Sequence, residues 1–84
     1  MIDKTLFRIR LSAVDKTFDM WIPNELPVLE AVQLAVGLLE EQEHRRYKGG
    51  KTTSFYLRES GEELDAGKLM GEYNFVDGTE LILI

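Results

Sequence analysis

The feature that most constrains the fold of this chain is that helical periodicity occurs in only one stretch. From Pro27 onward, apolar residues recur at the i, i+4, i+7 and i+11 spacing of one helix face. Pro27 suits a first helical turn, where its missing N–H has no intrahelical partner, and Gly49-Gly50 is expected to end the helix. One helix covers one face of one sheet, so the other elements must form a single sheet against it. The residues of the central stripe are Val28, Val32, Ala35 and Leu39.

Most of the remaining chain alternates apolar and polar residues with period two, which is typical of strands with one buried face. Residues 4–12 and 17–23 form two such strands, and the polar segment between them predicts a hairpin. Residues 54–59 predict a short third strand and residues 79–84 a last one. The side chains predicted to face the helix are Phe7, Ile9, Leu11, Phe18, Met20, Ile22, Phe55, Leu57, Leu81 and Leu83.

The order strand, strand, helix, strand, loop, strand predicts an α+β protein with the β-grasp topology. A right-handed crossover through the helix places the last strand parallel beside the first. We therefore expect a mixed four- to five-stranded sheet packed on one helix, in a single domain spanning residues 1–84. A ferredoxin-like fold would need a second long helix. The turn-rich segment after residue 60, with Leu64, Leu69 and Met70 as its anchors, cannot supply one.

Composition and charge argue against several classes of function. The net charge of −5 repels phosphate over most of the surface, which argues against general nucleic-acid binding. There is no cysteine for a disulfide or a thiolate zinc site, and no apolar run approaches the ~20 residues of a membrane span. A cytoplasmic location is the simplest expectation. The single histidine, His44, has no nucleophile or metal ligand set around it, so we predict no catalytic residue, cofactor or metal.

The second half of the chain carries a recognisable pattern of core and turn residues. A Ser60-Gly61 turn is followed by Leu64, an Asp65–Lys68 loop, Met70, the segment Glu72–Phe75 and Leu81-x-Leu83. With this spacing, residues 57–84 resemble the second half of ubiquitin, and the hairpin and helix fit the same fold. The resemblance implies that Tyr73 is structural and that its hydroxyl bonds a nearby backbone group. Core and turn positions specify fold far better than function.

Two short motifs narrow the resemblance. The helix opens with P-V-x-x-x-V, at Pro27–Val32, and the last strand follows Asp77-Gly78. These motifs resemble the YukD/EsaB family, bacterial cytoplasmic proteins encoded with type VII secretion systems. The resemblance implies a non-catalytic accessory or regulatory role through binding of protein partners such as secretion-system components. Ubiquitin and similar sulfur carriers end in a Gly-Gly tail, and this sequence ends at Ile84, so we expect no conjugation.

Three alternatives stay open from the sequence. The chain could be a ubiquitin-like domain of a larger type VII secretion membrane transporter, or a covalent modifier or sulfur carrier with a truncated tail. The helix stripe is also wider than one sheet needs, so Leu34 and Leu38 could mediate a homodimer.

The residues expected to bind a partner lie on the sheet face away from the helix. They combine two isoleucines and a tyrosine with arginines, which indicates an apolar centre with a cationic rim and favours an acidic protein partner. Further candidates for partner binding are Trp21, the edge strand and a basic cluster at Arg45, Arg46, Lys48 and Lys51. The proposed partner-binding residues are Arg8, Arg10, Tyr56, Arg58, Ile82 and Ile84.

Overall fold

A computed structural model describes residues 3–12, 15–42 and 53–84. The sheet is formed by strands β1 (Lys4–Leu11), β2 (Lys16–Pro23), β3 (Phe55–Leu57) and β4 (Thr79–Leu83). The helix, α1, spans Val28–Gln42, and a short 3₁₀ helix spans Met70–Tyr73. The predicted helix end at Gly49-Gly50 and the predicted basic cluster at Arg45, Arg46, Lys48 and Lys51 lie outside the described residues.

The strands form one mixed sheet in the order β2-β1-β4-β3. β1 is antiparallel to β2, with Phe7 opposite Met20, and parallel to β4, with Ile9 opposite Leu81. β3 is antiparallel to β4. The predicted parallel pairing of the first and last strands is therefore confirmed, and it places β1 and β4 in the centre of the sheet.

The predicted inner face of the sheet is confirmed. Phe7, Ile9 and Leu11 on β1 are each 1% exposed, and Leu81 and Leu83 on β4 are fully buried. Phe18, Met20 and Leu57 are only partly buried, because β2 and β3 are the two edges of the sheet and α1 lies over its centre. The helix contributes the facing buried residues, which are Val28, Ala31, Val32, Ala35 and Leu39.

The loop after β3 holds the start of the helix. The N–H of Val28 donates to the Lys68 carbonyl at 2.7 Å, and the N–H of Leu29 donates to the Ala66 carbonyl at 3.2 Å. These bonds satisfy two of the amide groups that a helix leaves without partners in its first turn. Nearby, Gly71 allows close backbone contact, because a Cβ there would lie 3.0 Å from Asn24.

The prediction that Leu69 is a buried anchor of this loop is wrong. Leu64 and Met70 are buried as predicted, but Leu69 is 39% exposed. The backbone of Leu69 bridges to Pro27 beside the start of α1, so its position is fixed by main-chain pairing while its side chain reaches solvent. The 3₁₀ helix that follows was not predicted, because a single turn has too few residues to show a period.

Burial predicts a sharp difference between two leucine-to-alanine variants. Leu83 is fully buried between the sheet and α1, whereas Leu29 on the helix is 52% exposed. We expect L83A to lower the free energy of unfolding by about 2–5 kcal/mol and L29A to change it by less than about 0.5 kcal/mol. Urea unfolding followed by circular dichroism measures both. Equal losses in the two variants would contradict the assigned strand register.

Candidate functional site: the outer face of the sheet

The structure brings the six predicted partner-binding residues onto one surface, the face of the sheet turned away from α1, called the outer face below. Arg10, Ile82 and Tyr56 are register partners on β1, β4 and β3, so they form one row across the sheet. Arg8 lies in the neighbouring row, and the N–H of Arg58 donates to the Glu80 carbonyl of that row at 3.2 Å.

Ile84 continues the apolar part of this surface. It follows β4 and is held in the sheet by two backbone bonds with Ser54, of 2.8 and 3.1 Å. Its side chain is 61% exposed, while Ile82 and Tyr56 are half-buried. These three side chains form the apolar centre of the outer face, at the corner where β3 begins and β4 ends.

The predicted cationic rim is wrong, because all three arginines of the outer face are paired with carboxylates on the same surface. Arg8 Nε lies 3.3 Å from Asp19 Oδ1, and Arg10 Nη2 lies 2.7 Å from Asp15 Oδ1. Arg58 pairs with the carboxylate of Glu80. Since Arg8 and Glu80 are register partners, charge alternates in the row Asp19, Arg8, Glu80, Arg58.

These ion pairs set the charge distribution of the outer face, but they contribute little to the stability of the fold. Both members of each pair are at least 40% exposed at the side chain, and exposed ion pairs contribute only ~0–1 kcal/mol. A depression of about 390 Å³ lies over the row and is lined by both the arginines and the carboxylates. The outer face therefore offers donors and acceptors together beside an apolar centre, which suits a mixed-charge protein surface better than a purely acidic one.

One of these ion pairs could have been predicted from the sequence. Asp19 and Arg8 lie opposite each other in the predicted hairpin, so strand register alone could have paired them. Asp15 could not have been placed in this way. It lies in the turn between β1 and β2 with a positive φ of 51°, and its orientation depends on that backbone conformation.

A second apolar group lies at the opposite end of the outer face. Trp21 on β2 is 54% exposed, as predicted for a residue near the surface, and its register partner is Leu6 on β1. The loop before β4 is fastened beside Leu6, whose N–H donates to Asp77 Oδ1 at 2.9 Å. The row of alternating charges separates this group from Ile82 and Tyr56.

Tyr73 has the structural role that the sequence predicts. Its hydroxyl accepts a bond of 2.8 Å from the Asp65 N–H, and its ring stacks on Phe75 with centroids 5.1 Å apart. The Lys68 ammonium lies 5.3 Å from the ring centroid. The phenol thus secures the loop that holds the start of α1.

Within residues 3–12, 15–42 and 53–84, no group of three or more His, Asp or Glu side chains is arranged to hold a metal ion. In the same ranges, no helix is long and apolar enough to cross a membrane.

Comparison with solved structures confirms the ubiquitin-like β-grasp fold. The ubiquitin-like domain of the type VII secretion system protein EccD1 of Mycobacterium tuberculosis is similar, with 16% identity, 99% of each chain covered and a TM-score of 0.77. The EccD5 ubiquitin-like domain of Mycobacterium xenopi has 17% identity over 98% of this chain and 93% of its own, with a TM-score of 0.70. A protein described in connection with molecular mimicry of SUMO in DNA repair has 12% identity, coverages of 100% and 94%, and a TM-score of 0.78. No protein-family model matches the chain, and no curated protein does.

The role assigned to Tyr73 predicts a purely structural cost on substitution. In Y73F the Asp65 N–H loses its acceptor while the stack on Phe75 remains, so we expect a loss of about 0.5–1.5 kcal/mol in unfolding free energy. Thermal unfolding measures this loss. As a control, the amide spectrum of Y73F outside the loop should match that of the wild type. A stability equal to wild type would contradict the assigned bond.

Proposed function

We propose that this chain is a non-catalytic, ubiquitin-like protein–protein interaction module that serves as an accessory or regulatory component of type VII secretion in the bacterial cytoplasm. Two of the similar solved structures are ubiquitin-like domains of type VII secretion proteins, which supports this setting. The observation that carries the proposal is the apolar centre of Ile82, Ile84 and Tyr56 on the uncovered outer face.

Recognition through this surface follows from its layout. Protein interfaces combine an apolar centre with a polar rim, and here the rim consists of Arg8, Arg10 and Arg58 with their carboxylate partners. Because an exposed pair contributes ~0–1 kcal/mol, Arg58 can exchange Glu80 for a carboxylate of the partner at small cost. The partner is thus expected to present aliphatic side chains with charges of both signs around them.

A second candidate function is supported by the same comparisons. The EccD structures are described as ubiquitin-like domains of secretion proteins, which favours a role for this chain as one domain of a larger type VII membrane transporter. The coding sequence beyond Ile84 distinguishes the two: a hydrophobic segment in the same frame would favour the transporter. Intact-mass measurement of the protein from native cells tests the covalent modifier or sulfur carrier, because either would require further residues at the carboxyl end.

The homodimer is also open to test. Leu34 and Leu38 are each 42% exposed on α1, so a second copy could pack against them. Sedimentation over a wide concentration range would show a rising apparent mass if this face mediated dimers. A constant monomer mass would remove the homodimer from consideration.

The outer face is tested by a double variant with a control on another surface. We expect R58E/I82D to weaken binding to a secretion-system partner by at least about tenfold, since it removes the apolar centre and places like charge beside Glu80. L29D introduces a carboxylate at an exposed apolar position on α1 and should bind normally. Affinity can be measured by calorimetry with proteins encoded beside this gene, after circular dichroism has verified both folds.

If R58E/I82D binds every such partner as tightly as wild type, the outer face is not the recognition surface. Loss of binding in L29D as well would point to α1.

A further inference from the structure

A cleft opens between the end of β3 and the start of β4. The three residues of β3 pair only with Leu81, Ile82 and Leu83, so the first part of β4 extends beyond β3. After Leu57 the chain turns away from β4, and the Gly61 N–H donates to the Leu57 carbonyl at 2.7 Å. The cleft left beside the start of β4 has a volume of about 510 Å³, within the range of protein ligand sites. It is lined by Leu57, Arg58, Glu59 and residues 76–80.

Hydrogen bonds fix the wall of the cleft on the β4 side. The N–H and the hydroxyl of Thr79 donate to the Val76 carbonyl, at 3.1 and 2.7 Å, and close the turn before β4. Leu6 on β1 holds the same turn, because its carbonyl accepts the Gly78 N–H at 2.8 Å and its N–H donates to Asp77 Oδ1 at 2.9 Å. A ligand therefore meets a wall that is already in place, which lowers the entropic cost of binding.

Part of the cleft is apolar and reached by solvent. Val76 is 73% exposed, more than any other large hydrophobic residue in the part of the chain that the structure describes. Leu57 is half-buried, and it lines the cleft together with Val76. An aliphatic chain that lies on these two residues removes apolar surface from water, which stabilises a complex in proportion to the area buried.

The charges that line the cleft are mostly negative. Glu59, Asp77 and Glu80 contribute three carboxylates, and among the described residues that line the cleft the only cation is Arg58. Arg58 pairs with Glu80, so two carboxylates remain in excess. Neither Glu59 nor Asp77 forms an ion pair with another described residue.

The segment that surrounds the cleft adds to this negative charge. Residues 59–80 contain seven acidic residues and one lysine, which gives a charge of −6, compared with −5 for the whole chain. That lysine, Lys68, lies 5.3 Å from the centroid of the Tyr73 ring. A field of one sign attracts cations and repels anions, so the charge of this segment favours a basic occupant over a phosphate or an anionic surface.

We propose that the cleft binds a lysine or arginine side chain from a basic segment of a partner protein. The aliphatic stem of that residue lies on Val76 and Leu57, and its charged head contacts the carboxylates of Glu59 and Asp77. Asp77 can accept a further bond, because the Leu6 N–H is bonded to Oδ1 and a carboxylate has two oxygens. This binding depends neither on a role in secretion nor on recognition through the outer face.

The probe is the peptide acetyl-Val-Lys-Val-amide, titrated into ¹⁵N-labelled protein. We expect saturable shifts centred on the amides of Glu59, Asp77 and Gly78. Norleucine in place of lysine retains the stem and removes the charge, whereas 2,3-diaminopropionic acid retains the charge and removes most of the stem. Each replacement should weaken binding by at least about threefold, because the stem and the charge both contribute. Equal binding of the three peptides, shifts centred on another surface or no saturable shift would overturn the proposal.

A double variant of the protein tests the two carboxylates. E59Q/D77N removes both charges, and the asparagine keeps an oxygen that can accept the Leu6 N–H. It should weaken binding of the lysine peptide by at least about threefold and reduce the dependence of binding on salt. The matched control E30Q/E41Q removes the same charge from exposed positions on α1 and should bind as the wild type does. Equal losses in the two double variants would overturn the proposal, because they would indicate attraction to the whole surface.

A second pair of variants tests the apolar contact. V76S changes a mostly exposed side chain and should weaken binding of the lysine peptide by at least about threefold, while binding of the diaminopropionic acid peptide stays the same. I82S removes an apolar side chain from the outer face and should leave binding of both peptides unchanged, so the result is separate from the function proposed above. Normal binding in V76S would overturn the proposal. So would a dimer of the free protein that E59Q/D77N dissociates, because it would assign the cleft to a second copy.

Discussion

The parallel pairing of β1 with β4 is the interaction on which the rest of this structure depends. Ile9 and Leu81 lie opposite each other in that pair and are 1% and 0% exposed. Parallel neighbours need a long crossover, and α1 lies in the connection between them and covers the inner face of the sheet. The hairpin partner β2 and the short β3 are consequently left at the two edges.

Both candidate binding surfaces follow from that arrangement. Among the described residues α1 covers the inner face of the sheet, and the outer face with Ile82 and Tyr56 stays open to a partner. The helix crosses the centre of the sheet, so within the part of the chain that the structure describes β2 is an edge strand with a groove beside Leu38. The opposite edge strand, β3, ends at Leu57, so the cleft lies beside the start of β4 and shares one ion pair with the outer face. One domain could therefore contact two partners, or two segments of one partner.

The period-two alternation of the sequence predicted which residues lie on each face of the sheet. Alternation in β1 and β4 identified the buried residues correctly, and it also placed Arg10, Ile82 and Tyr56 on one face. It could not predict the charge of that face, because the pairing of Arg58 with Glu80 depends on strand register and side-chain conformation together. The exposure of Leu69 was missed for a similar reason. Its backbone bridge to Pro27 is a long-range contact that no local pattern encodes.

Hydrogen exchange of the backbone amides tests the central claim most directly, because one experiment measures the protection of the amides in both β1 and β2. The account predicts slow exchange from Phe7 to Leu11, where β1 is paired with β2 on one side and with β4 on the other. In β2 it predicts alternation, with slow amides at Phe18, Met20 and Ile22 and fast ones at Thr17, Asp19 and Trp21. Fast exchange in β1, or uniform protection along β2 in the free monomer, would contradict it.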